Sequence, residues 1–278
     1  MLQFAKVGVR KDVPKGFNKL TFPQGNQITT ASVSTLTEGT NPSVTTWGTT
    51  DYTVALTQYG LIIQLTDIAM RNSAFELMSS AVLNVKNALA RQIDNYIQTI
   101  VNAGTNVGYA GGKAARNTLA VGDLISATDY TQGIKKLRVA SNAGLRPFMD
   151  GKYAVIMSPF VETDFMNNTQ TGAWTDLSRF DQSQRLQSGT IGGFRGGVVF
   201  TSANVQTYSS TTTVYPTTFV GDQSFGWGFF QAPAPVIVST PDSNNILNLY
   251  TSIGAKAAIG AVRFEEARIY RLESAATP

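Results

Sequence analysis

Between Phe75 and Ile100 the large apolar residues recur at intervals of three and four: Phe75, Met78, Val82, Val85, Leu89, Ile93, Tyr96 and Ile100. That spacing keeps one apolar side chain per turn on the same helical face. It predicts a single amphipathic rod from Asp67 to about Ala103, with Asp67 as its cap and Gly104 as its stop. At 1.5 Å per residue the rod is about 50 Å long. The stripe reads as core packing rather than a cofactor site. Gln92, Asn95 and Asn84 do not form the charge ladder a coiled coil uses.

Ahead of the rod the period changes to two. From Asp51 to Gly60, Tyr52, Val54, Leu56 and Gln58 alternate with Thr53, Ala55 and Thr57, and Leu61 to Leu65 continues extended. Residues 27–66 therefore read as a long two-stranded excursion, with Gly39 to Gly48 near its tip. A lone two-stranded ribbon is not stable in water, so it must lie on its own subunit or on a neighbour.

Behind the rod the pattern is mixed. Residues 104–125 read as a glycine-rich loop. Gly108 to Lys113 fails as a phosphate loop: Val107 stands where the first glycine belongs, and Ala114 follows the lysine. A second helix runs from Ser126 to about Ser141, with Tyr130, Ile134 and Leu137 on one face and Ser126 or Thr128 as its cap. Lys152 to Met157 is a buried-type strand. Ser158-Pro159 then opens a short helix ending at Asn167, and Asp176 opens another carrying Leu177, Phe180 and Leu186. Thr190–Phe194 and Val198–Thr201 are strands about a glycine turn. Residues 206–218 read as a Ser/Thr surface loop. Strands follow at 219–230, 236–239, 246–250 and 261–272, with a phase shift at Glu265-Glu266 that suggests a bulge. Strands, a long helix, a mixed region and returning strands make an α+β protein, with about 126–228 inserted as a second domain.

Composition sharpens this picture. Charged residues make up 14% of the 278 residues, against roughly 25% in a typical soluble domain. Either much of the surface meets other protein, since interface cores are depleted in charge, or this is a poorly charged, Thr-rich β protein. The net charge of +4 comes from the first twenty residues, where Lys6, Arg10, Lys11, Lys15 and Lys19 face only Asp12. With Pro14, Gly16, Pro23 and Gly25, that segment reads as an extended arm. It is either a solvated terminus or an arm lying on an acidic partner, nucleic acid or protein. No apolar signal segment opens the chain and no stretch is long enough to span a membrane.

The chain has no His and no Cys, which removes imidazole and thiolate chemistry. Glu265 and Glu266 point to opposite faces of a strand and cannot act as a pair. Asp176 and Asp181 lack metal-loop spacing. Glu162 and Asp164 suit the first turns of a helix without any catalytic role. No Ser-x-x-Lys occurs. The sequence predicts no enzyme and no cofactor or metal.

Several short segments occur in a telling order: Phe4-Ala-Lys6 with Val13-Pro-Lys-Gly16, Leu36-Thr-Glu-Gly-Thr-Asn-Pro42, Gln58-Tyr-Gly60, Leu65-Thr-Asp67, Ser188-Gly-Thr-Ile-Gly-Gly-Phe-Arg195 and Gly254-Ala-Lys-Ala-Ala-Ile-Gly260. In this order the chain resembles the major capsid proteins of tailed bacteriophages, in particular a podophage-type capsid family, which share the Johnson fold. The resemblance implies an N-terminal arm over 1–26, an E-loop over 27–66, and a peripheral domain with the spine helix over 67–125. It implies an axial domain over 126–228 and peripheral return strands over 229–278. It further implies hexamers and pentamers that close into an icosahedral shell around double-stranded DNA. The shell would be built in the host cytoplasm and become the virion capsid. Partners would be further copies of the chain, scaffolding, portal and decoration proteins, and packaged DNA bound without sequence preference. No membrane is involved. A separate scaffolding protein is expected, because the arm opens the chain. Trp47, Tyr52 and Tyr59 are candidate subunit contacts, since aromatics dominate interface hot spots; packing within one subunit is equally open for them. Lys6, Arg10 and Lys11 are the arm's candidates. The alternatives are an encapsulin-like shell of a cellular nanocompartment and a β-rich tail or adhesin subunit.

Overall fold

The computed structural model describes residues 3–13, 17, 19–26, 28, 32–36, 38–73, 76–139, 147–148, 151–169, 193–239 and 245–277. Its longest helix, Leu77–Asn102, buries Ala81, Val85, Leu89, Ile93, Ile97 and Val101 along one face. Of the predicted stripe, Val85, Leu89 and Ile93 are buried, Met78, Val82, Tyr96 and Ile100 pack half-buried at its margin, and Phe75 lies outside the described residues; Ala81, Ile97 and Val101 complete the buried face. The rod does not begin at Asp67, however. A separate short helix, α2 (Asp67–Asn72), ends at Ser73, whose backbone is extended, and Glu76 is extended too. Nothing on α2 is buried, so no packing holds the two pieces in line. Its cap is the Thr66 hydroxyl, which accepts from the Ala69 N–H at 3.3 Å. Asp67 instead pairs with Arg71 one turn on.

The long helix, α3, lies on a four-stranded sheet. This sheet holds β1 (Val9–Arg10), β4 (Thr57–Thr66), β11 (Phe225–Val238) and β12 (Tyr250–Arg263), in the order β1-β11-β12-β4. Alternate residues of β12, from Ile253 through Ala255, Ala257 and Ile259 to Ala261, join the core under α3. The small alanines let the helix approach the sheet closely.

The amino-terminal segment departs from the predicted extended arm. Gln3–Val7 forms a short helix, α1, whose Phe4 and Val7 are buried in this same core. The chain then runs parallel to β11, with Val9 opposite Gly226 and Arg10 opposite Trp227. The Lys11 and Val13 N–H groups donate to the Trp227 and Phe229 carbonyls, each at 2.9 Å. A Cβ on Gly228 would collide with the Lys11 carbonyl, so this glycine admits the arm onto the strand.

The ribbon also has a different partner from the one predicted. β2 (Lys19–Gly25) pairs antiparallel with β3 (Thr49–Ala55), from Lys19 opposite Ala55 to Gly25 opposite Thr49. The arm therefore supplies one of the two strands. β4 leaves the ribbon after Leu56 and pairs with β12, from Thr57 opposite Ile259 to Thr66 opposite Tyr250.

A second sheet has seven strands. β5 (Val107–Tyr109), β13 (Ile269–Ser274), β10 (Thr213–Val220), β6 (Tyr153–Met157), β8 (Gly197–Thr201) and β7 (Gly193–Phe194) follow in that order, and β9 (Tyr208–Ser209) pairs with β10. β6 is buried throughout. Its Ala154 and Ile156 join the core under α3, while Tyr153, Val155 and Met157 join a second core with helices α4 (Ala127–Val139) and α5 (Pro159–Asn167). A strand covered on both faces reads as a continuous apolar run. The α4 cap is reciprocal: Ser126 Oγ accepts from the Asp129 N–H at 3.1 Å, and the Asp129 carboxylate accepts from the Ser126 N–H at 3.2 Å.

Three further expectations change. The Ser/Thr tract 206–218 is no surface loop: it supplies β9 and most of β10, and Thr217 and Thr218 are fully buried. Strands on both sides override its loop-like composition, and threonine suits a strand. The phase shift at Glu265-Glu266 is a crossing between sheets rather than a bulge, made by a 3-10 turn at Glu266–Arg268. The strand predicted from Ile246 begins at Tyr250, because the Asn245 side chain ties residues 245–250 into a turn. The helix expected from Asp176 and the start of the strand at Thr190 lie outside the described residues.

Candidate assembly surface

The ribbon is held at its base. Leu20 and Phe22 are buried against Phe264, with Tyr52, Val54, Phe230 and Val262 around them. The Phe22 and Tyr52 rings stand 5.1 and 5.4 Å from that of Phe264. Each such buried side chain contributes roughly 1.5–3 kcal/mol. Beyond Gly25 and Thr49 that support ends. Val33, Leu36 and Val44 are exposed, Val44 at 95%, and Trp47 remains 60% exposed. Trp47 lies over Gly25, and its Nε1 donates to the Asn26 carbonyl at 2.7 Å. The indole is thus held in place with one broad side open.

A second exposed apolar surface lies on the four-stranded sheet. Gly60, Leu61 and Ile62 of β4, Val236 of β11, and Gly254, Ala255 and Lys256 of β12 line a trough of about 540 Å³. Strand pairing sets Gly254 between Ile62 and Val236. The missing side chain makes the floor, and its two exposed neighbours make the walls. From Gln231 to Val238 the strand β11 is exposed. Its outer edge lacks a partner strand among the described residues, and Pro233 and Pro235 limit pairing there.

The other predicted contact residues are placed as follows. The Tyr59 ring meets Tyr96 edge-on at 5.7 Å, and burial raises the pKa of its hydroxyl. Arg10 pairs with Asp12 at 2.7 Å and lies over the Trp227 and Phe229 rings. The hydrogen bond from Arg10 holds the Asp12 carboxyl below its ordinary range. Lys11 donates to the Thr21 carbonyl at 2.8 Å. Lys6 is exposed on α1. Tyr52, Tyr59, Arg10 and Lys11 are therefore engaged within their own subunit, while Trp47 and Lys6 face outward.

The fold also creates a cluster not read from the sequence. Lys135, Lys136 and Arg138 end α4, and Lys152 and Arg195 join them through the pairing of β6, β7 and β8. All five are exposed. The Lys-Lys-x-Arg run was visible in the sequence; the two distant members were not. Among the described residues no three His, Cys, Asp or Glu side chains are placed to hold a metal, and no helix is long and apolar enough to cross a membrane.

A ribbon with a bare tip, a long helix on a sheet, and a second mixed sheet form the geometry to compare with known proteins. The profile of the family described as phage capsid protein matches residues 49–272. The chain belongs to this family. Among solved structures, the head of Helicobacter pylori bacteriophage KHP40 matches with a TM-score of 0.74 at 10% identity, over 95% of this chain and 87% of that one. The capsid of Ralstonia phage GP4 matches at 0.71 with 14% identity, over 98% and 88%. Mycobacterium phage Che8 matches at 0.66 with 15% identity, over 98% and 91%. At these identities the likeness is one of fold, and that fold is the α+β Johnson fold. No curated protein sequence matches. The protein is a tailed-phage major capsid protein, a structural component of the virion that assembles from copies of itself. Family membership decides against the cellular nanocompartment and the tail or adhesin subunit.

Proposed function

We propose that this capsid protein forms hexamers and pentamers that close into an icosahedral shell around double-stranded DNA. In this reading residues 1–26 are the arm, 27–66 the E-loop, 67–125 and 229–278 the peripheral domain, and 126–228 the axial domain. The observation that carries it is the ribbon tip. Its base is buried in its own subunit, while Val33, Leu36, Val44 and Trp47 are exposed. Burying such surface is worth about 25 cal/mol per Å², and in a shell of identical copies the natural cover is the neighbour. The trough of Ile62, Val236 and Gly254 offers an apolar seat. Glu38, the one charged residue among 26–48, suits Lys256 at the trough's margin. Trp47 then carries the contact among the aromatic candidates and Lys6 among the basic ones.

The remaining partners are scaffolding, portal and decoration proteins, with assembly in the host cytoplasm. Electron microscopy of the expressed protein, alone and with its head-gene neighbours, tests the reading. Closed shells with five-fold and six-fold capsomers are expected; open tubes, fibres or single subunits under both conditions overturn it.

A further inference from the structure

Of the arm's five basic residues, Arg10 is paired with Asp12 and Lys11 donates to the Thr21 carbonyl, while Lys6 and Lys19 are exposed singly and Lys15 lies outside the described residues. A denser group of exposed positive charge gathers at the end of α4. A Cβ on Gly196 would stand 2.5 Å from Arg138 Nη2, and one on Gly193 would stand 3.8 Å from Lys152 Nζ. Both arginines and Lys152 thus surround the turn between β7 and β8. Lys135 and Lys136 line a groove of about 650 Å³ with Gln132 and Val139, whose other wall is Asn106, Glu266 and Ala267; the Glu266 carboxylate there is paired with Arg263. Lys135, Lys136, Arg138 and Lys152 form no ion pair with a described residue.

A helix end favours one or two cations through its dipole, but it does not call for Lys152 and Arg195 from other elements. Arg195 sits at φ 41° beside Gly196 at φ 86°. Two positive φ values make a tight hairpin turn whose first position usually takes Asn, Asp or Gly. An arginine held in that conformation, donating to the Thr131 hydroxyl at 3.1 Å, points to a use for its charge. The patch is also poor in apolar surface, with Val139 its only large exposed apolar residue among those described. A protein contact wants a buried apolar centre. A row of long cationic side chains without one suits a phosphate backbone.

We propose that Lys135, Lys136, Arg138, Lys152 and Arg195 form this capsid protein's contact for the phosphate backbone of double-stranded DNA, in place of the amino-terminal arm. This rests on the reading above, in which the shell encloses DNA.

The test is binding of a labelled DNA duplex to the unassembled full-length chain over a salt series. Changing Lys135, Lys136, Arg138 and Lys152 together to Gln is expected to weaken binding more than tenfold at low salt. The slope of log affinity against log salt should become shallower by about 3 to 4. Changing the three lysines to Arg should preserve the slope, and changing Lys6 and Lys11 to Gln should leave it unaltered. An unchanged slope in the four-site variant overturns the proposal, as does a larger loss from the arm variant. Retained DNA binding with lost shell formation also overturns it, and would assign the patch to an acidic protein surface. Because the slope is read before assembly, failure of the wild type to form shells would count against the proposed function alone.

Discussion

The Asp94 carboxylate, on the long helix, accepts a hydrogen bond from the Ala5 backbone N–H at 3.3 Å. It sits beneath the first turn of α1, where it also takes the Phe4 N–H. Asp94 is 1% exposed, and burial raises its pKa despite these donors. The native state therefore binds this proton more tightly than the unfolded chain does. The stabilisation is fully present below the unfolded value of about 3.9 and is lost as pH rises through the folded value. Asp94→Asn keeps an acceptor oxygen and removes the charge. Its urea midpoint should exceed that of the wild type at neutral pH, and the gap should narrow as the pH is lowered toward about 4. A constant deficit across that range would contradict the assignment.

Phe4 measures how firmly the arm is held. A solvated terminus would tolerate its removal. As Phe4 is 1% exposed in the main core, Phe4→Ala should cost about 3–5 kcal/mol in denaturant unfolding of the unassembled chain. A cost below about 0.5 kcal/mol, the usual range for surface changes, would mean that α1 is not docked.

Glu273 is fully buried and takes a two-pronged bond from Arg116, both contacts at 2.6 Å, with Arg271 at 2.9 Å on the same carboxylate. Removing one partner of a buried pair is costly. Here Arg116 is a third exposed and Arg271 remains, so Arg116→Ala should cost only about 1–3 kcal/mol. Thermal unfolding checks this, and an unchanged midpoint would contradict it.

The exposed indole supplies the fourth prediction. Trp47→Ala should leave the subunit's own unfolding within about 0.5 kcal/mol, while weakening association by about 2 kcal/mol per contact. Sedimentation over a concentration series reads the association directly. The opposite pattern, lost folding with intact assembly, would show that Trp47 serves its own subunit.

Periodicity was informative where one element meets one core. The buried run Val85, Leu89 and Ile93 needs only the helix's own repeat, the run Tyr153–Met157 needs only burial on two faces, and Ser158-Pro159 marks its helix locally. The likeness to capsid proteins was legible for a different reason, the order of short segments along the chain. What stayed hidden depends on partners distant in sequence. Thr217 and Thr218 are core residues because β6 and β13 flank them. Lys19–Gly25 is a strand because Thr49–Ala55 lies opposite. Gly254 floors a trough only because Ile62 and Val236 stand on either side, and Lys152 and Arg195 meet α4 only through strand pairing. Of the candidate contacts, Trp47 stands exposed while Tyr52 and Tyr59 find rings within their own subunit, a difference that residue type alone gave no sign of.

The native chain has no cysteine, so an engineered pair reports on subunit contact without background. Val44→Cys at the ribbon tip combined with Ile62→Cys in the trough should, on oxidation of the assembled protein, give a ladder of covalent multimers in a denaturing gel, and each single variant should stop at dimers. A chain that stays monomeric in that gel, although shells have formed, would contradict the claim that one subunit's tip is seated on the next.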